Sequence, residues 1–219
     1  MRRTALRRED LLLYILILAS YLIFFGCMVI SAGVFFTGKP VQLREAMISG
    51  LLSPSDNPRG YRIASAGTAT CGVLLLPVAL LFYRALARRH RVLALAGSVT
   101  FGLGPLCAAS ILLYAGEIDD THVYLAFAAY IFMTLGLLIG LALEGSTVVR
   151  AGGIRGGALL LALAALTAIL IFLVYLLFTP DFFNDQTLLR NVAFCEWSLC
   201  AVDALCIVAL ARMLAAPTR

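Results

Sequence analysis

A histidine beside two aspartates, two carboxylates on one helical face and a few arginines are the residues of this chain equipped for chemistry. His122 follows Asp119 and Asp120 closely. An imidazole titrates near neutrality, and a neighbouring carboxylate favours its protonated form, so the trio suits acid/base work. Glu196 and Asp203 are seven residues apart, a spacing that puts both on one side of a helix. Asp56, Arg59 and Arg62 precede one apolar run and Arg190 precedes another. Three guanidinium groups at one level could grip a lipid phosphate through forked hydrogen bonds.

Each group also has a plainer reading. Asp119 and Asp120 could simply cap the helix that His122 opens, and the arginines could be interfacial anchors. Glu196, near Trp197, lies about one and a half turns inside its apolar run and can reach the polar layer outside. Asp203 lies near the middle of that run, with no Lys or Arg at matching depth in any other apolar segment. An isolated carboxyl in such surroundings favours its neutral form, hydrogen-bonded to hydroxyls or backbone carbonyls. Either the two acids hold helices together, worth about 1 kcal/mol each, or they line a polar cavity open to the outside. His90, within Arg88-Arg89-His90-Arg91, belongs to a basic connector and suggests no catalysis.

The elements that must position these groups are set by composition. The chain has 219 residues, 62% hydrophobic and 13% charged, with a mean hydropathy of +0.99. Soluble domains carry about a quarter charged residues, so too few polar side chains exist here to face water all round. A membrane-crossing helix needs about 20 mostly apolar residues, because lipid offers backbone amides no partner. Six segments qualify, at about 11–36, 63–84, 92–115, 122–143, 157–178 and 191–213. Basic residues alternate along the chain. Arg2, Arg3, Arg7, Arg8, Arg84, Arg88, Arg89, Arg91, Arg150, Arg155, Arg212 and Arg219 fall on one side. The opposite connectors hold Lys39, Arg44, Arg59, Arg62 and Arg190, accompanied by Glu45, Asp56, Glu117, Asp119, Asp120, Asp181 and Asp185. The positive-inside bias then places both termini in the cytoplasm.

Local signals refine this plan. Gly136 and Gly140 form a small-xxx-small pair suited to close helix contact. Gly102, Gly104 and Pro105 should bend the third segment, and Pro77 the second. The long first connector, 37–62, predicts a short amphipathic helix from Pro40 to Leu52, lying on the outer membrane surface or folded over the bundle mouth as a cap. Turn residues fill Ser53 to Gly60.

Several classes drop out. The six cysteines, Cys27, Cys71, Cys107, Cys195, Cys200 and Cys206, all sit in apolar runs without metal-ligand spacing, so they read as small core fillers. The net charge of +5 is spread over short connectors and forms no stripe for nucleic acid. There is no HExxH, Walker loop or GxSxG, and the two histidines fall on opposite sides. The first apolar run exceeds a signal-peptide core and reads as a retained helix. No internal repeat is evident, which argues against an inverted-repeat transporter.

Three short motifs then occur in one order: Ser55-Asp56-Asn57-Pro58-Arg59-Gly60, an Asp-rich turn with His122 and then Ala126-Phe127, and Cys195-Glu196-Trp197. In these the chain resembles the DRAM-type family (damage-regulated autophagy modulators), which includes proteins that remodel the lipid of GPI anchors. The turn before the second segment is shorter than the family's Pro-rich form, and the His sits closer to the Ala-Phe pair. The resemblance spans nearly the whole chain. It implies a six-helix bundle, a theme of lipid remodelling or lipid organisation, and family positions at Asp56, His122 and Glu196.

The expectation is therefore a single all-α domain over 1–219, a polytopic six-helix transmembrane bundle, N-in and C-in, in the plasma (cytoplasmic) membrane. It would bind or remodel lipid at a polar cavity facing the outer leaflet. His122, Glu196 and Asp56 would be its catalytic candidates, Arg59, Arg62 and Arg190 its headgroup contacts, and Asp203 a buried polar group. No cofactor or metal is expected. Membrane lipids are the expected partners, with a second copy or another membrane protein left open. A non-catalytic scaffold or regulator is the alternative, and a proton-coupled transporter using Asp203 a third. Whether the chain is an enzyme stays open.

Overall fold

The computed structural model describes residues 8–40, 47–114, 121–151, 163–168, 170–172 and 186–215. All regular structure among them is helical: α1 (Arg8–Phe35), α2 (Ile48–Leu52), α3 (Tyr61–Leu86), α4 (Arg91–Tyr114), α5 (Thr121–Ala151) and α6 (Gln186–Ala215). Residues 163–168 and 170–172 are also helical, and the rest of the expected segment 157–178 lies outside the described residues.

Four stretches are long and apolar enough to cross a membrane: Leu11–Phe35, Tyr61–Leu86, Arg91–Tyr114 and Tyr124–Leu143. Their ends follow from chain chemistry. The stretch within α1 begins where the charges of Arg8, Glu9 and Asp10 give way to leucines, and α1 ends in a turn where Gly38 takes φ +78°, a conformation that favours glycine. Four residues, Ala87–His90, link α3 to α4. There the His90 Nδ1 accepts from the Leu93 amide at 3.3 Å, so this exposed imidazole caps α4.

Neighbouring long helices pack in chain order, α1 on α3, α3 on α4 and α4 on α5, and α6 touches both α5 and α1 to close the ring. Glycines set the spacing. A Cβ at Gly72 of α3 would meet the Pro105 carbonyl of α4 and lie 2.7 Å from the Ala109 nitrogen. One at Gly136 of α5 would run into the Phe101 backbone of α4. Gly140, the other half of that pair, faces α6 instead, where a Cβ would lie 2.9 Å from the Leu210 Cδ2. Without water to drive helices together, such close approach supplies the contact area.

Side-chain distribution fits an apolar surround. Leu113 is 79% exposed and Val92 70%, and Leu18, Leu22, Val29 and Leu205 also face outward. Ser20, Ser31, Ser65, Thr68, Ser98, Thr134 and Asp203 are buried. Apolar exposure on this scale would be a liability in water. These features fit a helical membrane protein.

The first connector differs from its expected form. Pro40 and Met47 are not helical, residues 41–46 lie outside the described residues, and among those described the connector's helix is Ile48–Leu52. Ile48, Leu51 and Leu52 are almost fully buried, so α2 inserts among the long helices and does not rest on a surface. Five residues form little more than one turn, too short to stand alone.

Glycine spacing makes a clear prediction. Gly136→Ala should cost about 1–3 kcal/mol by forcing α5 from α4, lowering the thermal midpoint in detergent by roughly 2–10 °C. Gly26→Ala, where a Cβ meets nothing within 4 Å, should leave it unchanged or slightly raised.

Candidate functional site

α2 has no cap of its own, since Met47 offers no side-chain hydrogen bond. The cap comes from the far end of the chain. The Glu196 carboxylate on α6 accepts from the Ile48 amide at 2.6 Å and from the Ser49 amide at 3.3 Å. Two amides that open a helix otherwise lack partners, and a carboxylate is the strongest acceptor a side chain can offer them. Glu196 thereby ties α2 down over the bundle.

A second tie holds the other end of α2. Asn57, 2% exposed, donates through Nδ2 to the Ser31 hydroxyl of α1 at 2.8 Å and to the Leu51 carbonyl at 3.3 Å. Its Oδ1 accepts from the Gly60 amide at 3.1 Å, and Ser31 donates to the Gly60 carbonyl at 3.0 Å. One amide side chain thus joins α1, α2 and the start of α3. The turn is closed further by the Asn57 carbonyl, which accepts from the Tyr61 amide at 2.9 Å.

Beneath α2 the bundle holds a partly open cavity of about 60 Å³, room for roughly four to six waters or one end of a slender molecule. Ile48 and Leu52 form its roof. Its walls are mostly apolar, with Phe24, Leu75, Ile111 and Met133 among them, and Pro105 contributes from α4. Tyr21, Thr68, Cys71, Tyr130, Cys200 and Asp203 are its polar members. The Thr68 hydroxyl donates to the Ala64 carbonyl of its own helix at 2.9 Å. Tyr130 and Cys200 share a hydrogen bond of 3.2 Å between hydroxyl and thiol. The Tyr21 hydroxyl and both Asp203 oxygens are buried without a hydrogen-bond partner. Thr134 stands close to Asp203 from α5 without completing a hydrogen bond, and Tyr21 is near enough to interact with it electrostatically.

The expected site residues separate into layers. Asp56, Arg59 and Arg62 are exposed on the turn outside α2, with the Arg62 guanidinium 5.7 Å from the Tyr61 ring centre and its Nε donating to the Tyr61 hydroxyl at 3.1 Å. Glu196 is partly buried under α2, and Asp203 is deeper, at the cavity wall. The turn carrying Asp56 and the cavity are therefore not one surface. His122 and Arg190 lie on described helices, but their side chains are outside the described residues, as are Asp119 and Asp120. The expected polar cavity is mainly apolar. Cys71, Cys200 and Cys206 are buried free thiols, and among the described residues no group of His, Cys, Asp and Glu could hold a metal.

Sequence reasoning passed over Tyr21, Tyr130, Asn57 and Ser31. Aromatic residues in an apolar run look like any core residue. The only available hint was polarity, a serine one turn from the end of a first apolar run and an asparagine in the turn that must pass above it.

Comparison with protein-family models, with curated proteins and with solved structures finds no match to this chain. Fold and site together describe a helical membrane protein with an internal cavity roofed by an inserted loop helix.

The roof gives two tests. Glu196→Ala should speed hydrogen exchange at the Ile48 and Ser49 amides by about tenfold or more, since hydrogen bonds to a charged group contribute about 1.5–3 kcal/mol, while Glu196→Gln should fall between. Asn57→Ala should lower stability by about 1–3 kcal/mol, read as a lower thermal midpoint.

Proposed function

We propose that this chain is an integral membrane protein, both termini cytoplasmic, that binds one end of a lipid or similar amphiphile in the cavity beneath α2, on the outer-leaflet side. The observation that carries this reading is the cavity itself. It is walled by apolar side chains, roofed by Ile48 and Leu52, and has Asp203 and Tyr21 at its edge. Ligand sites are commonly apolar hollows with a few polar groups that fix orientation. A volume of about 60 Å³ receives the terminus of a chain or a small head, not a whole phospholipid. The exposed Arg59 and Arg62 on the turn above suit lipid phosphate, and the DRAM-type resemblance points to the same theme.

Remodelling of the bound lipid would need His122 as acid/base with Glu196 or Asp56. Glu196 is occupied by two backbone amides, which favours the second reading, a non-catalytic scaffold whose acids hold its parts together.

Lipid retained by purified protein, quantified by mass spectrometry, tests binding. Ala126→Phe, which fills the cavity from α5, should cut retained lipid at least about fivefold, as loss of a well-fitted apolar contact of 1 kcal/mol or more implies. Equal retention would sink the cavity reading. Lipid profiles of host cells carrying His122→Ala decide between the two versions: a changed profile supports remodelling, and an unchanged one in cells that need the protein leaves the scaffold.

A further inference from the structure

Several side chains with polar atoms line the hollow beneath α2, yet scarcely any of that polarity reaches its surface. Thr68 gives its hydroxyl to the Ala64 carbonyl of its own helix at 2.9 Å. Tyr130 and Cys200 are bonded to each other at 3.2 Å. Cys71 is a buried thiol, which packs as a small hydrophobe. The Tyr21 hydroxyl and both Asp203 oxygens are covered by neighbouring atoms. Thr134 and Tyr21 stand beside that carboxyl as donors from within the protein. The described residues therefore leave the hollow a surface that is almost wholly apolar.

What can enter follows from that surface. A visiting head with O–H, N–H or charge would give up its hydrogen bonds outside and find none within, a loss that buried polar groups rarely sustain. Water is a poor filling for the same reason, since it needs several polar partners. Hydrocarbon loses nothing on entry. Lipid tails are as apolar as the wall, so water does not drive the step. The gain is the dispersion contact that the lining of an empty hollow lacks. Size narrows the class further. A methylene takes about as much room as a water, so roughly four to six carbons fill the 60 Å³.

We infer that the hollow takes the methyl end of a lipid's hydrocarbon chain, its last few carbons, while the head stays outside. This rests on the amphiphile-binding reading above and deepens it by choosing the tail over the head. Leu75, Ile111 and Met133 are then walls against the chain, with Ile48 and Leu52 above it. Asp203, Tyr21 and Thr134 form a packed polar layer behind that wall.

The test places the full chain in phosphatidylcholine nanodiscs doped with one of three photoreactive phosphatidylcholines, and crosslinked residues are read by mass spectrometry. The first probe carries a diazirine near the methyl end of one acyl chain, and the second carries it beside the carboxyl. The third repeats the first with a hydroxyl on the terminal carbon. Outward-facing Leu22 and Leu113 serve as references for ordinary lipid contact. Relative to them, the methyl-end probe should label Leu75, Ile111 and Met133 about tenfold more than the hydroxyl-ended probe. That is the ratio expected for burying one unsatisfied polar group at a cost of about 1.4 kcal/mol. The carboxyl-side probe should scarcely label them. Equal labelling by the methyl-end and hydroxyl-ended probes, or stronger labelling by the carboxyl-side probe, overturns the tail assignment while the cavity reading stands. That comparison needs no variant to fold. Ala126→Phe, which fills the hollow, should remove the methyl-end labelling, and labelling that persists there overturns the assignment as well. Labelling of the references alone, by all three probes, overturns the cavity reading along with the inference.

Discussion

One carboxylate near the end of the chain holds the roof near its beginning. Glu196 accepts from two amides of α2, and α2 is too short to persist without that anchor. In apolar surroundings an unpaired backbone amide costs several kcal/mol, so this bond, with the Asn57 tie at the other end of α2 and the burial of Ile48, Leu51 and Leu52, holds the first connector inward. The cavity takes two of its lining side chains, Ile48 and Leu52, from α2. With α2 seated, Ile48 and Leu52 face inward over Asp203; without it the same hollow would open outward.

Two kinds of contact divide the labour beneath that roof. The succession from α3 to α4 to α5 is fixed by backbone proximity at Gly72 and Gly136, where no side chain intervenes. The connection of α6 to the remainder uses side chains, through Leu210 against Gly140, the thiol of Cys200 with Tyr130, and Glu196 with α2. Glycine contacts are rigid and indifferent to chemistry. Side-chain contacts leave polar groups facing the interior, and α6 carries both Glu196, bonded to α2, and Asp203, which lines the cavity.

Much of the architecture was written in hydropathy. The expected segment 63–84 became α3 at Tyr61–Leu86, and 92–115 became α4 at Arg91–Tyr114, because the demand for internal hydrogen bonding leaves an apolar run little choice. The spacing of Gly136 and Gly140 marked small residues at helix contacts, though the two serve different neighbours, α4 and α6. The site was far less legible. Seven-residue spacing put Glu196 and Asp203 on one face, yet nothing local could reveal that one meets α2 while the other meets the cavity. The partner of Glu196 is 148 residues away, a relation that exists only once the helices have been arranged. Asn57 looked like ordinary turn chemistry, and its bond to Gly60 is just that, whereas its other partner, Ser31, lies 26 residues away on α1. Of the amphipathic pattern from Pro40 to Leu52, the described part bears out a helix only at Ile48–Leu52, whose Ile48, Leu51 and Leu52 are buried.

The distance in sequence between Glu196 and Ile48 also orders the birth of the molecule. Chains emerge from the ribosome N-terminus first, so the first connector is made long before its carboxylate. Throughout that interval α2 has no acceptor for its opening amides, and only emergence of the last helix supplies one. Lid closure is therefore a final act of assembly, and a polypeptide halted before residue 196 would carry an open mouth that a cell's surveillance machinery can recognise.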